Sequence, residues 1–208
     1  MVTLISSEMT TREINTELQA LPDGSNVTIT DPQGRHNLAV GLTNRINITV
    51  EGSAGHYLGG LCDGPSIRAE GFVGWAAGEN LMSGLVRVAG NASERVAASA
   101  HGGHVIVDGD ASSRAALSLT GGTVLVSGDV GHMSAFMAQA GILLVGGDAG
   151  EALGDSLYEA IIYVGGKIRS LGSDAITADL TDRPCVVGVD DHLGGQVHGD
   201  LQAGHPRV

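Results

Sequence analysis

Residues 105–147 read VIVDGDASSRAALSLTGGTVLVSGDVGHMSAFMAQAGILLVGG, and three short apolar runs in this stretch each end in glycine. These runs end at Gly109, Gly128 and Gly147, so they recur every nineteen residues. The same step continues in both directions, without insertion or deletion, for six successive steps in all. The glycines that end the runs are Gly52, Gly71, Gly90, Gly109, Gly128, Gly147 and Gly166. A fixed period of this kind is the signature of a repeat architecture.

Each repeat carries apolar residues four and two positions before its glycine, as Val105 and Val107 stand before Gly109. This alternation with period two indicates a β-strand with one buried face. Residues at the same position of successive repeats form a column along the solenoid, and the column ten residues after each glycine is again small or apolar. It predicts a second inward face, made of Cys62, Leu81, Ala100, Leu119, Ala138, Leu157 and Ile176. We therefore predict an all-β fold, a single-stranded parallel β-helix of about seven coils, roughly 30 Å long at ~4.8 Å per coil.

The glycines that end the runs are predicted to be structural corner residues. Glycine is favoured where the chain turns through positive φ, or where stacked backbones approach closely, and the sequence leaves both explanations open. The pairs Gly109-Asp110, Gly128-Asp129 and Gly147-Asp148 resemble calcium-binding repeats. They recur only once per nineteen residues, which is too sparse for a cage of six to eight oxygens. We expect solvated carboxylates at these corners.

The chain is predicted to form one domain with three parts. An N-terminal cap and first rung occupy residues 1–44, regular coils occupy 45–178, and a C-terminal cap and tail occupy 179–208. Thr10 and Glu13 have capping-box spacing, which predicts a short helix over the first coil. Residues 27–30 are expected to form an irregular first rung. Such covers protect the open sheet edges at the ends of a solenoid.

The composition excludes several classes of partner. The 208 residues include 33 glycines and only six aromatic residues, and the formal net charge is −12. Nucleic acid and anionic membrane surfaces require a basic footprint, so both are disfavoured. No apolar run approaches the ~18 residues of a membrane span, and the N-terminus lacks signal-peptide features. These features, with Cys62 and Cys185 expected as reduced thiols, favour a cytoplasmic location.

The sequence predicts no catalytic residue, metal site or cofactor site in this chain. No catalytic triad or nucleotide-binding glycine motif can be assigned. His56 and His132 lie four coils apart, roughly 19 Å at ~4.8 Å per coil, and therefore cannot share one ion. His101 and His104 lack a third ligand nearby. We expect both pairs to be surface or hydrogen-bonded residues.

An outward ridge is the candidate partner interface. The column four residues after each glycine mixes polar and aromatic types and contains Trp75, the only tryptophan. Tryptophan is enriched at interface hot spots, although simple packing along the ridge is the alternative. The candidate interface residues are His56, Trp75, His132 and Glu151, with Tyr158 and Glu159 on the corner beyond.

Six motifs carry a resemblance to a known family. They are residues 55–60, 74–80, 100–103, 131–141, 154–160 and 170–175, which read GHYLGG, GWAAGEN, AHGG, GHMSAFMAQAG, GDSLYEA and SLGSDA. The sequence resembles the β-helical C-terminal domain of the glutamate synthase large subunit, named for its glycine repeat. It is more similar still to the free-standing form of that domain, which is a separate chain in methylamine–glutamate N-methyltransferases (N-methylglutamate synthases). The resemblance implies a right-handed coil, the usual hand of parallel crossovers.

The resemblance also implies a cytoplasmic hetero-oligomer made of separate chains. One partner would be a glutamine-amidotransferase-like subunit, and another an FMN and iron–sulfur synthase-like subunit. This chain would be the scaffold between them, without a cofactor of its own, and the family assigns no catalytic residue to this module. The β-helical chain of formylmethanofuran dehydrogenase and of the formyltransferase/hydrolase complex shares the repeat but resembles these motifs less. An autonomous carbohydrate-active β-helix is disfavoured, because six aromatic residues provide few sugar platforms.

Overall fold

The computed structural model describes residues 2–178 and the backbone of residues 196–201. These residues form a parallel β-solenoid of about seven turns with one short α-helix, as predicted. The helices are a 3-10 turn, Ser6–Glu8, and α1, Thr11–Ala20. The strands are β1 Val2–Ile5, β2 Asn26–Thr30, β3 Asn47–Val50, β4 Asp63–Ala69, β5 Ser83–Val88, β6 His104–Val107, β7 Thr120–Val126, β8 Ala140–Val145, β9 Ile161–Ile168, β10 Ile176–Thr177 and β11 Gln196–Leu201.

The strands stack in sequence order from β1 to β9, and the nineteen-residue step is also the pairing register of the regular coils. Val86 of β5 pairs with Val105 of β6, and Val105 pairs with Val124 of β7. A second ladder of single parallel bridges climbs another side of the coil, through Ala54, Val73, Ala92, Ala111, Val130, Ala149 and Ile168. Equivalent residues of successive coils therefore lie directly above one another.

Both predicted inward columns form the core. Val105 and Val107 are buried, and so are the residues ten positions after each glycine from Cys62 to Leu157. The last member of that column was predicted wrongly, because Ile176 is 58% exposed. The bridge between Leu153 and Leu171 spans eighteen residues instead of nineteen, so the register has slipped by one position before this residue, and Ala175 is buried in its place.

The N-terminal cap contains the predicted helix. Thr10 Oγ1 accepts a hydrogen bond from Glu13 N at 3.3 Å, and Glu13 Oε2 accepts one from Thr10 N at 2.7 Å. The Glu13 carboxylate accepts hydrogen bonds from the backbone N–H and from the hydroxyl of Thr10. These bonds, of which the backbone one has the larger effect, lower the pKa of Glu13 below its ordinary value. Ile14 and Leu18 are fully buried, and Asn44 Nδ2 donates to the Leu18 carbonyl at 2.8 Å. The helix therefore covers the open end of the core.

Two terminal strands did not emerge from the sequence pattern. β1 pairs in parallel with the predicted first rung, β2, and β11 pairs with β9 at the other end of the sheet. Each is a single short run without a repeat partner, so the nineteen-residue period could not reveal it. The rest of the predicted C-terminal cap and tail, residues 179–195 and 202–208 with Cys185, lies outside the described residues.

The corner glycines are explained by close approach rather than by backbone turning. Of the seven, only Gly52 has a positive φ, 129°. At Gly128, a side-chain Cβ would overlap Asp110 Oδ1 and lie 3.0 Å from the Gly109 carbonyl oxygen, both in the preceding coil. Positive φ occurs instead in the next turn, at residues such as Met133, 54°, and Ala135, 56°.

Candidate docking surface

The first half of the candidate ridge is a stack of side chains from successive coils. His56 Nδ1 accepts a hydrogen bond from Trp75 N at 2.8 Å, and the two ring centroids lie 5.2 Å apart. His36 Nδ1 accepts from His56 N at 2.7 Å, and these imidazoles stack at 4.3 Å. The Arg95 guanidinium lies 5.3 Å from the Trp75 ring centroid. The sequence identified His56 and Trp75, whereas the structure adds His36 and Arg95.

The hydrogen bonds of this stack determine the histidine tautomers. A ring nitrogen that accepts a backbone N–H bond carries no proton of its own. In the neutral rings of His36 and His56, the proton therefore resides on Nε2, and Nδ1 is occupied by the neighbouring coil. Each imidazole ring is thus held in its orientation by a backbone N–H group of the next coil.

Aromatic surface is concentrated beside this stack. Trp75 is 44% exposed, and Phe72, three residues earlier on the same coil, is 64% exposed. Tyr57 follows His56 directly, is also exposed, and its hydroxyl donates to Glu79 Oε1 at 3.3 Å. Half of the six aromatic residues of the chain therefore lie within two adjacent coils. Large aromatic side chains that remain accessible are characteristic anchors of protein interfaces.

The second half of the ridge borders an open cleft of about 320 Å³. His132 and Glu151 line this cleft, together with Gly131 and Gly150. The other charged residues that line it are Asp129, Asp148, Lys167 and Arg169. Glu151 Oε1 lies 3.7 Å from Arg169 Nη1, but both side chains are mostly exposed, so this ion pair contributes little to stability.

The aspartates beside the cleft form a hydrogen-bonded ladder. Asp110 Oδ1 accepts from Asp129 N at 2.9 Å, and Asp129 Oδ1 accepts from Asp148 N at 2.7 Å. Asn91 begins this ladder, and the backbone N–H of Lys167 ends it on Asp148. The expected corner carboxylates are therefore exposed but also bind the backbone of the next coil. In the described part of the chain, no group of three or more His, Cys, Asp or Glu residues is arranged to hold a metal ion.

Tyr158 and Glu159 lie apart from the ridge. They lie just before β9, and their backbone N–H groups donate to the carbonyls of Ala138 and Gln139, which lie just before β8. Both side chains are exposed, Tyr158 by 64%. The structure therefore brings His56 together with Trp75, and His132 together with Glu151, and leaves these two residues at a separate corner.

The chain matches no protein-family model and no curated protein sequence. The longest helix among the described residues, α1, has ten residues, and none of the described helices could span a bilayer. The structure itself shows the fold, a parallel β-solenoid.

Proposed function

We propose that this chain is a non-catalytic, cytoplasmic scaffold subunit of a glutamate-synthase-like complex. The sequence motifs favour methylamine–glutamate N-methyltransferase, which forms N-methylglutamate from glutamate and methylamine. The partners would be a glutamine-amidotransferase-like subunit and an FMN and iron–sulfur synthase-like subunit. Flavin and cluster chemistry would take place in the latter subunit.

The observation that supports this role best is the nineteen-residue register that the central residues of the strands keep from coil to coil, with shifts only at the first residues of β4 and β7. Equivalent residues pair directly from β3 to β9, and the second bridge ladder runs from Ala54 to Ile168. In a solenoid, each repeat contacts only its neighbours, and a regular stack therefore extends as a rod. Such a rod can hold two partner subunits at a constant separation.

The ridge provides two chemically different contacts on this rod. The stack around Trp75 is aromatic and partly exposed, whereas the cleft between His132 and Glu151 is charged. Four coils separate His56 from His132, which corresponds to roughly 19 Å at ~4.8 Å per coil. Two partner surfaces of different character could therefore dock along one line without competing for the same residues.

Replacement of Trp75 by alanine tests this assignment. Because Trp75 is partly exposed and packs on ridge residues, we expect Trp75→Ala to leave the isolated fold intact. Assembly should weaken by about 2 kcal/mol or more if Trp75 is a hot spot, which corresponds to about 30-fold in affinity. The measurement is a titration of the purified complex, followed by transferase activity at low and high total protein concentration.

The matched control is Met82→Ala, which removes another exposed apolar side chain away from the ridge. This control should assemble normally, and a high concentration of all the chains should restore activity to Trp75→Ala. Unchanged assembly with lost activity would contradict a scaffold role for Trp75 and indicate a direct part in the chemistry.

The identity of the complex is tested separately, by mass spectrometry of the chains that co-purify from the native host. Amidotransferase-like and flavin-containing synthase-like subunits would support the proposal. Recovery of formyltransferase-type subunits instead would place this chain in the alternative complex of one-carbon metabolism.

A further inference from the structure

In three strands of the C-terminal half, the outward residue between two buried residues is itself apolar. In β4 and β5 the outward residues between buried neighbours are Arg68 and Arg87, whereas in β6, β7 and β8 they are Ile106, Leu125 and Leu144. Pairing places all five in one outward column. Near-continuous apolar runs are typical of parallel strands whose sheet is covered on both sides.

A second outward column extends this apolar surface on β8 and β9, whereas its members in β6 and β7 are His104 and Thr123. Ile142 of β8 pairs with Ile161 of β9, and both are half-buried like their neighbours in the first column. We name Ile106, Leu125, Ile142, Leu144 and Ile161 the outer sheet face. Among the described elements, β6, β7 and β8 make their extensive contacts with adjacent strands alone. Each of the five side chains of the outer sheet face is partly buried and partly exposed.

We propose that the outer sheet face binds a partner protein with an apolar centre and a basic border. Four strands of about six residues cover roughly 400 Å², at ~4.8 Å between strands and ~3.3 Å per residue. A standard interface buries ~800 Å² on each partner, so the contact extends beyond the apolar face. Just beyond the strand ends lies the row of exposed carboxylates Asp110, Asp129 and Asp148. A basic border on the partner would complement this row.

Charge favours such a partner over two other molecules that could cover the outer sheet face, namely a second copy of this chain and the chain's own residues 179–195. A second copy would bring another net charge of −12 and its own aspartate row to the contact. The chain's own residues 179–195 contain four aspartates and a single basic residue, Arg183, so they too are poorly matched to an acidic border. A partner with the opposite charge fits the surface better than either. Such a partner is expected both in the glutamate-synthase-like complex and in the alternative formyltransferase-type complex.

Cysteine protection provides the test. Leu144→Cys is introduced together with Cys185→Ser, while Cys62 stays buried in the core. We expect N-ethylmaleimide to label this variant in the isolated chain and at least tenfold more slowly in the assembly purified from the native host. The matched control is Thr49→Cys, in the same outward column of β3, whose labelling should change less than twofold on assembly.

Three results would overturn the proposal. Equal labelling of Leu144→Cys in the isolated chain and in the assembly would show that no partner covers the face. Protection in the isolated chain that disappears on removal of residues 179–208 would assign the face to the chain's own segment. Protection that increases with concentration of the isolated chain would assign it to a second copy.

The acidic border is tested independently. Asp129→Asn and Asp148→Asn retain a side-chain oxygen for the backbone bond but remove charge, so each should weaken assembly at low salt and reduce its salt dependence. Glu70→Gln, a charge removal on the N-terminal half of the sheet, is the control and should have no effect. Unchanged salt dependence in both aspartate variants would contradict a basic border. Recovery of unexpected subunits would refute the proposed complex but leave the cysteine protection as the readout for this face.

Discussion

At Gly128, the side chain of another coil occupies the position where a Cβ atom would lie. Asp110 reaches over this glycine to accept a hydrogen bond from the Asp129 backbone at 2.9 Å. Gly109 is covered in the same way by Asn91, and Gly147 by Asp129. Each of these glycines is therefore paired with the residue that directly follows the corner glycine of the preceding coil, as Gly128 is with Asp110. This pairing explains why both positions recur every nineteen residues.

We predict that Gly128→Val lowers the free energy of unfolding by about 1–3 kcal/mol, since the added atoms displace Asp110 and crowd a packed backbone. Chemical denaturation with circular dichroism measures this change. Ser127→Val, at the exposed preceding residue, is the control and should change stability far less. Equal stability of Gly128→Val and the wild type would refute the close-approach explanation.

Cys62 is predicted to be unreactive in the folded chain. Its Sγ lies 3.1 Å from the Ala39 carbonyl oxygen, and burial raises the pKa of the thiol to about 11. Because the thiolate is the reactive form, the thiol should resist iodoacetamide at pH 8 and react fully in denaturant. The experiment uses a Cys185→Ser background and mass spectrometry. Rapid labelling of the native chain at pH 8 would show that Cys62 is accessible.

At the scale of elements, the aspartate ladder joins coils outside the β-sheet. Its three carboxylates stand about one coil apart, ~4.8 Å, a spacing at which like charges repel. Each nevertheless accepts a backbone N–H bond from the coil above, as Asp129 does from Asp148 at 2.7 Å. The ladder therefore combines stabilising hydrogen bonds with charge repulsion, and substitution can separate the two effects.

Two variants of Asp129 make this separation. Asp129→Ala removes the acceptor and should cost about 0.5–1.5 kcal/mol. Asp129→Asn keeps an acceptor and removes the charge, so at low salt it should be at least as stable as the wild type, with the difference decreasing as salt screens the repulsion. Thermal unfolding at two ionic strengths measures both. Destabilisation of Asp129→Asn equal to that of Asp129→Ala would mean that the charge itself is required.

At the scale of the whole molecule, the solenoid should tolerate loss of a complete coil. Deletion of residues 110–128 joins Gly109 to Asp129 and keeps both the strand register and the Asn91–Asp ladder in phase. Since each repeat contacts only its neighbours, the shortened chain should fold with a circular dichroism spectrum of the same shape. Deletion of residues 110–118, about half a coil, is the control and should prevent cooperative folding. If both deletions fold equally well, the nineteen-residue unit is not the structural repeat.

The sequence by itself determined the β-solenoid, its nineteen-residue register, its inward columns and the capped helix α1. These features either repeat or follow local rules. The glycine spacing indicates stacked coils, the alternation of apolar residues indicates a buried strand face, and Thr10 with Glu13 indicates the start of a helix. Tertiary structure alone decided why the corner glycines are required, because that reason lies in Asp110 and its equivalents one coil away. It also decided that β11 lies between β9 and β10, and that His36 and Arg95 complete the stack around Trp75. The position of β11 joins strands at irregular separations. The contacts of the glycines and of the stack lie one coil apart, but they depend on which side chains meet across the coils, and the spacing of a repeat does not specify this.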